Sequence, residues 1–446
     1  MKKTNYRFSK IIILPFFAFT LASFTQVNAQ SAPLQFQTVW QHILKDSPEI
    51  AEQTHLQLAS QLSLDRAKLH WAPSLGLQAS AYSSNDPGTN FFGLLSQRSV
   101  AAPDFSPSTL NSPGYQTFQS VGLHLDMPLY EGGRRTETAR AISAQTEAES
   151  IQLKFKKISA FAQTLEHYGN WVADLTTQKR LIELKDQVSK ILSRYSIGSQ
   201  SNPVGYSGIL GLKGLQNRID AELISIQTGQ KTHQIALAVK SNLNLNDLLP
   251  SESSVQSLIT KNAATISTGP SLTEELALKR EESFQSAKNA EKSKFLPKIG
   301  LFGNESMLHG KRDTGYAFTG GVYLSWSLFN PDHYNHFLEK SEIAKAATQQ
   351  RYSAEQTAKI SRDTLNEHES SIHKTIQILS NSDQLLAEQV KVASRLFQSG
   401  SISALQLSEV YNRRADLILN LRQTEKQWIE IHTQKIILQS STTSTL

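Results

Sequence analysis

Two hydrophobic periods share this chain. In WAPSLGLQASAY, residues 71–82, Leu75, Leu77, Ala79 and Ala81 alternate with Ser74, Gly76, Gln78 and Ser80. That period of two predicts a strand with one apolar and one polar face. LPKIGLFGNES, residues 296–306, is a near copy. In VGLHLDMPLY, residues 121–130, Val121, Leu123, Leu125, Met127 and Leu129 share a face; in GVYLSWSLF, residues 321–329, Val322, Leu324, Trp326 and Leu328 do. Each run is about ten residues, the length of a membrane-barrel strand, and apolar-out, polar-in alternation is that barrel's signature. Tyr82, Tyr115, Phe118, Tyr316, Phe318 and Trp326 fall near strand ends, where aromatic girdles are expected.

Elsewhere the pattern is helical. Residues 134–197 contain no Pro and a single Gly, Gly169, and residues 332–399 contain neither. Each stretch predicts one helix of roughly 95–100 Å at 1.5 Å per residue, against an average near 11–12 residues in globular proteins. Sparse heptad-like positions (Ile376, Leu379, Leu385, Leu386, Val390, Val392, Leu396) and small residues such as Ala139, Ala144 and Ala344 suit close helix packing. Turns at 198–204 and 400–403 send the chain back as helices to about Leu245 and Leu438.

The chain is internally duplicated. Pro73-Ser74-Leu75-Gly76-Leu77 matches Pro297-Lys298-Ile299-Gly300-Leu301, and Leu125, Leu129 and Tyr130 match Leu324, Leu328 and Phe329. Ser193-Arg194-Tyr195 matches Ser394-Arg395-Leu396. The first repeat is expected over 30–245, with strands at 74–83 and 119–130, a long helix at 131–197 and a return helix at 205–245. A Ser/Thr/Asn-rich linker covers 246–270. The second repeat covers 271–438, with strands at 298–307 and 316–329, a long helix at 331–399 and a return helix at 404–438; a tail follows at 439–446. The first inter-strand loop, about 83–117, is far longer than the second, about 308–315.

The N-terminus changes the charge picture. Lys2, Lys3, Arg7 and Lys10 precede an apolar run at 11–24 and the small-residue site Val27-Asn28-Ala29, so residues 1–29 read as a signal peptide and the mature chain as starting at Gln30. Of 45 basic residues, four leave with it, and 41 against 39 acidic residues lowers the net charge from +6 to +2. No basic patch with interleaved aromatics suggests nucleic acid. The chain has no cysteine, which excludes disulfides, Cys-based zinc sites and an N-terminal lipidated Cys. Asp332, His333 and His336, and the pair His368 and His373, are solvated helix residues rather than ligands. No Walker A loop, G-x-S-x-G or H-E-x-x-H occurs, so no enzyme activity, metal or cofactor is expected.

Four strands cannot close a membrane barrel alone, and open edges in lipid are prohibitive. Subunits must share one: two would give eight strands, with an interior that side chains fill, and three would give twelve around an open lumen.

These features resemble the TolC family of outer-membrane efflux channels over essentially the whole mature chain. The residues that carry it are the duplication, the Pro-x-[Leu/Ile]-Gly-Leu strands, the run Pro128-Leu129-Tyr130-Glu131-Gly132-Gly133, and Arg194-Tyr195-x-x-Gly198. The resemblance implies a mixed fold of periplasmic α-barrel and transmembrane β-barrel, a homotrimer with twelve strands, and outer-membrane localisation with a large periplasmic portion. It implies a periplasmic adaptor and an inner-membrane pump or exporter as partners. Leu75, Leu77, Leu123, Leu125, Val322, Leu324 and Trp326 would face lipid. The tips that meet the adaptor would include Arg194, Gly198, Arg395, Gly400 and Ser403.

The family's acidic constriction lies six and nine residues after the second tip glycine, which gives Gln406 and Glu409; Gln406 departs from the acidic pattern. A ring of Glu409 would favour cations, with weaker cation block than a doubly acidic ring. At the first tip, Gly205, Gly208, Gly211 and Gly214 stand as a compliant iris hinge, a stripe for close helix approach, or a frayed end. A type I protein-secretion outlet shares this architecture, and a soluble coiled-coil adaptor is the remaining alternative.

Overall fold

The computed structural model describes residues 33–194, 203–245, 249–262 and 270–440. The signal peptide and Gly198 lie outside them. In chain order the elements are α1 (Phe36–Asp46), α2 (Pro48–Lys68), β1 (Ser74–Ser84), α3 (Pro87–Ser96), α4 (Pro107–Asn111), β2 (Gln116–Glu131), α5 (Arg134–Arg194) and α6 (Pro203–Ser241). Then come α7 (Val255–Lys261), α8 (Leu272–Lys292), β3 (Lys298–His309), β4 (Thr314–Ser325), α9 (Pro331–Gln398) and α10 (Ala404–Gln439). With 61 and 68 residues, α5 and α9 are roughly 90 and 100 Å long.

The long helices begin and end on local chemistry. Asn330 caps α9, its Oδ1 accepting from Asp332 N–H at 3.0 Å, with Pro331 in the first turn where a missing donor is harmless. At the far end Gly400 takes φ +76°. Its N–H donates to Phe397 O at 3.0 Å, and Ser401 N–H to Leu396 O at 2.8 Å, the paired bonds of a Schellman stop. Before α5, Gly132 and Gly133 have φ +65° and +83°, turning the chain out of β2.

The helices pack as long hairpins: α5 against α2, α6, α8 and α10, and α9 against α8 and α10. Their apolar contacts form two cores. One lies at mid-length, where α1 and α7 close over Phe161, Leu165, Tyr168 and Trp171 of α5 and Ile429 of α10. Gly169, the single interior glycine of α5, lets α10 approach; a Cβ there would stand 3.1 Å from Ile429 Cδ1. The other core fills the far end of the hairpins with Leu184, Val188, Leu215, Ile219, Val390, Leu407 and Tyr411.

Residues 246–270 are more than a linker. Within them α7 buries Val255, Leu258 and Ile259 in the mid-length core. Ser254 caps it, accepting from Ser257 N–H at 3.2 Å. The polar composition hid a seven-residue amphipathic helix.

The strands form one antiparallel sheet, β1-β2-β3-β4. β2 starts at Gln116 and β4 ends at Ser325. Trp326 and Leu328 therefore lie beyond the strand expected to hold them. Trp326 instead donates from Nε1–H to Phe295 O at 3.0 Å. Helices α2, α5, α8 and α9 all join one end of the sheet; the β1–β2 connection, with α3 and α4, and the β3–β4 turn lie at the other.

Candidate functional site: sheet faces and helix tips

Register partners share a face, so pairing fixes what each side of the sheet presents. Leu75 pairs with Leu125 and Leu77 with Leu123. Leu301 pairs with Met127 and Val322, and Ile299 with Leu324. Leu77, Val322, Leu324 and Phe318 are about two-thirds or more exposed. This is a continuous apolar face. A β-bulge between Pro128 and Tyr130 shifts the register, and Tyr130 rather than Leu129 sits opposite Ile299. Glu305, between Leu123 and Phe318, is the one carboxylate among the strand residues on this face.

The other face is polar. The Ser80 and Ser120 hydroxyls meet at 2.8 Å, and His124 contacts Asn304. Gln78, Asp126 and Thr319 lie on the same side. Tyr82 and Phe118 also belong here, as register partners with rings 5.5 Å apart. Phe118 is fully buried, so it is no girdle residue. Counting from Val121, an odd position, places Phe118 on the even, polar face.

What buries Phe118 is the first inter-strand connection. Its helix α3 turns Asn90, Gly93 and Leu94 toward the sheet. A Cβ on Gly93 would lie 2.4 Å from the Phe118 ring, one on Gly315 would lie 1.8 Å from Ser96 O, and one on Gly310 2.5 Å from the Gln97 amide. Gly315 pairs with Leu308, and Leu308 with Ser120, which places this contact on the polar face. Further bonds tie the segment to the β3–β4 turn. Arg312 donates two bonds of 2.6 Å to Asp104 and one of 3.1 Å to Ser99 O. Arg98 donates to Tyr316 O at 3.1 Å, and Asp313 N–H donates to Gln97 Oε1 at 3.2 Å. The Arg312 hydrogen bonds and the Ala101 N–H hold the Asp104 carboxyl down at about 2.

At the opposite end lie the helix tips. Arg194 is the last residue of α5. With Lys190, Ile191, Ser394, Phe397 and Tyr411 it lines a cleft of about 400 Å³ between the ends of α5 and α9; Arg395 borders the adjoining one. Ser403 and Gln406 form a capping box at the start of α10. Ser403 N–H donates to Gln406 Oε1 at 2.9 Å, and Gln406 N–H to Ser403 Oγ at 3.2 Å. Glu409 is exposed one turn further on and pairs with Arg413. Both expected constriction residues thus sit at the tip, Gln406 engaged by its own helix start.

The four tip glycines lie in helical α6, not in a frayed end. Gly208 touches the start of α10: its Cβ would be 2.4 Å from Ala404 C and Leu405 N. At Gly211 the nearest atom is Ser408 Oγ at 3.0 Å, and around Gly214 there is open space.

Sequence reasoning missed a buried ionic cluster midway along the helices. Asp174 of α5 is fully buried. Its Oδ1 accepts from Arg422 Nε and Lys426 Nζ of α10, both at 2.8 Å, and its Oδ2 has no partner. Gly229 of α6 makes the room: a Cβ there would lie 2.8 Å from Oδ2. Beside it, burial and the Lys426 charge push the His233 imidazole down to about 4, against the pull of Asp174. His167 and His233 meet at 3.3 Å through their Nδ1 atoms. Spacing could not reveal this, because the partners lie 248 residues apart. Among the described residues no cluster of His, Asp and Glu suits a metal, and no helix is long and apolar enough to cross a membrane.

The sheet with one apolar face, mounted on long paired helices, can be set beside known proteins. Residues 39–239 match the family model described as outer membrane efflux protein. No curated protein matches the chain in sequence. Among solved structures, one of CusC superposes with a TM-score of 0.75 at 12% identity, covering 92% of this chain and 93% of that one. The Campylobacter jejuni CmeC outer membrane channel gives 0.71 at 14% identity, with 90% and 85% coverage. The open state of the Neisseria gonorrhoeae MtrE outer membrane channel gives 0.68 at 13%, with 91% and 89%. The fold expected from the sequence, long helices joined to four strands, is the one that these structures share with the chain.

Proposed function

We propose that three copies of this chain form an outer-membrane efflux duct, a twelve-stranded barrel continued by a helical tunnel through the periplasm. It receives small molecules from an inner-membrane pump, and its helix tips, including Arg194, Arg395, Gly400 and Ser403, meet a periplasmic adaptor. Gln406 and Glu409 line the entrance. One observation carries this reading: the apolar-faced sheet has β1 and β4 as open edges. In lipid those edges need strand partners, which only further copies supply.

The position of α3 favours three copies over two. Strands about 4.8 Å apart and tilted near 40° put the wall of an eight-stranded barrel roughly 16 Å across, and of a twelve-stranded one roughly 24 Å. A helix is about 10–12 Å wide. Two α3 helices cannot fit inside the first; the second is half as wide again and approaches the space that three need.

Fractionation and native mass of the detergent-extracted protein test the proposal. A trimer in the outer membrane supports it. A monomer in the soluble periplasm refutes it.

A further inference from the structure

Resting on that trimeric reading, we infer that the segment 85–115 is an outer plug: three α3 helices meet on the barrel axis and close the external mouth with an apolar ring of Phe92 and Leu95. Two contacts, Gly93 with Phe118 and Gly315 with Ser96, place α3 on the polar face, which is the lumen side, and Gly310 in the adjoining turn packs on Gln97 just after it. They lie at the end of the sheet remote from the long helices. Asn90, Gly93 and Leu94 take the wall side of α3. Phe92 and Leu95 turn away from the wall and are 63% and 51% exposed. Phe105, also exposed, extends the apolar surface through its contact with Phe91, 5.7 Å between ring centroids.

An apolar surface of this kind has no partner within one chain, and a water-filled lumen supplies none. The second and third copies do. Three cylinders 10–12 Å wide need a circle roughly 22–26 Å across, close to the roughly 24 Å that separates opposite backbones of the twelve-stranded wall, so they fill it only where side chains are missing from the wall. Each helix therefore meets its two counterparts. The absence of side chains at Gly93, Gly310 and Gly315 lets each helix lie close enough to the wall to fit. Apolar constrictions of this type stop flow by expelling water. The plug is bolted rather than loose, through the Arg312–Asp104 pair and the Gln97 contacts. Opening therefore requires the bolt to be released at the exterior, independently of the periplasmic tips.

The natural chain has no cysteine, so single thiols report without background. Thr319 lies on the lumen face, opposite Asn304 and four residues inward from Gly315. Ser84 and Gln116 are register partners, so an Asn-Gly turn can join them and remove the plug. Thr319→Cys would be labelled from outside intact cells with a membrane-impermeant, polymer-linked maleimide. Labelling should be slow in the full chain and at least about tenfold faster without the plug. Equal rates in both, fast or slow, would overturn the plug while leaving an outer-membrane trimer intact. Loss of the trimer or of outer-membrane location in the full chain would instead refute the channel reading. Should the shortened chain fail to assemble, Phe92→Cys in the full chain decides. Oxidation should link two protomers of the trimer through a disulfide; a trimer in which it never does so overturns the inference.

Discussion

Gly208 and Gly214 lie six residues apart on one helix, and the same substitution should act on them in opposite directions. A Cβ at position 208 would lie 2.4 Å from Ala404 C and Leu405 N and 2.5 Å from Ala404 Cβ. Ordinary contact begins near 3.4 Å, and the blocking atoms are main chain or its attached methyl, with no rotamer to swing away. Gly208→Ala must therefore push α6 from the start of α10. Overpacking of this kind costs about 1–3 kcal/mol, while alanine returns about 1 kcal/mol of helix propensity. Gly214→Ala meets no atom within 4 Å and should keep that gain whole. Because propensity is common to both, their difference isolates the contact. At about 2 kcal/mol the ratio of local opening equilibria is roughly 30-fold. Hydrogen exchange of peptides covering 205–215 and 404–412 reads that ratio in the extracted protein. Gly208→Ala should exchange faster than wild type in both peptides, and Gly214→Ala slower. Equal protection in the two variants would refute the close approach and return these glycines to the hinge reading.

Asp174→Ala should be among the most damaging single changes in the helical portion. It leaves Arg422 and Lys426 facing an emptied interior and should cost about 3–5 kcal/mol, seen as lower thermal stability; a change below about 1 kcal/mol would mean that water already serves those cations. Glu425 of α10 is pushed up to about 7 by burial, despite the nearby Arg180 charge. Its folded value lies above the unfolded 4.5, so the native state holds the extra proton and stability falls as pH rises from 4.5 to 7. Glu425→Gln should flatten that fall and add up to about 3 kcal/mol above pH 7, read from unfolding at pH 5 and 8; an unchanged slope would exclude Glu425 as its source. Glu409→Gln should weaken block of single-channel current by divalent cations added from the periplasmic side; unaltered block would remove Glu409 from the entrance.

The sheet and the helices were legible in the sequence because each obeys one period for long enough to be read. The duplication then located corresponding elements in the two halves. What escaped was whatever depends on parity, drift or distance. Phe118 looked like a girdle aromatic because it is near a strand end; one step of register puts it on the opposite face, against Gly93. The glycine stripe looked like one surface because its spacing is three. Each step of three turns the helix by about 300°, so the stripe drifts by about 60° per glycine. Gly208 and Gly211 face α10, and Gly214 has already left it. Gln406 looked like a weakened acidic ring; a capping box accepts Gln or Glu at its third position, so the helix start can retain an amide where a second ring charge is dispensable. The long first connection carried no sustained period, and its Pro, Ser and Gly residues read as loop. Its place came from Gly93 in the connection and Gly310 and Gly315 far along the chain, whose missing side chains admit one helix to the polar face of the sheet. A glycine that makes room for a distant segment leaves no local pattern, which is why the packing of the long connection on the sheet was the part the sequence concealed.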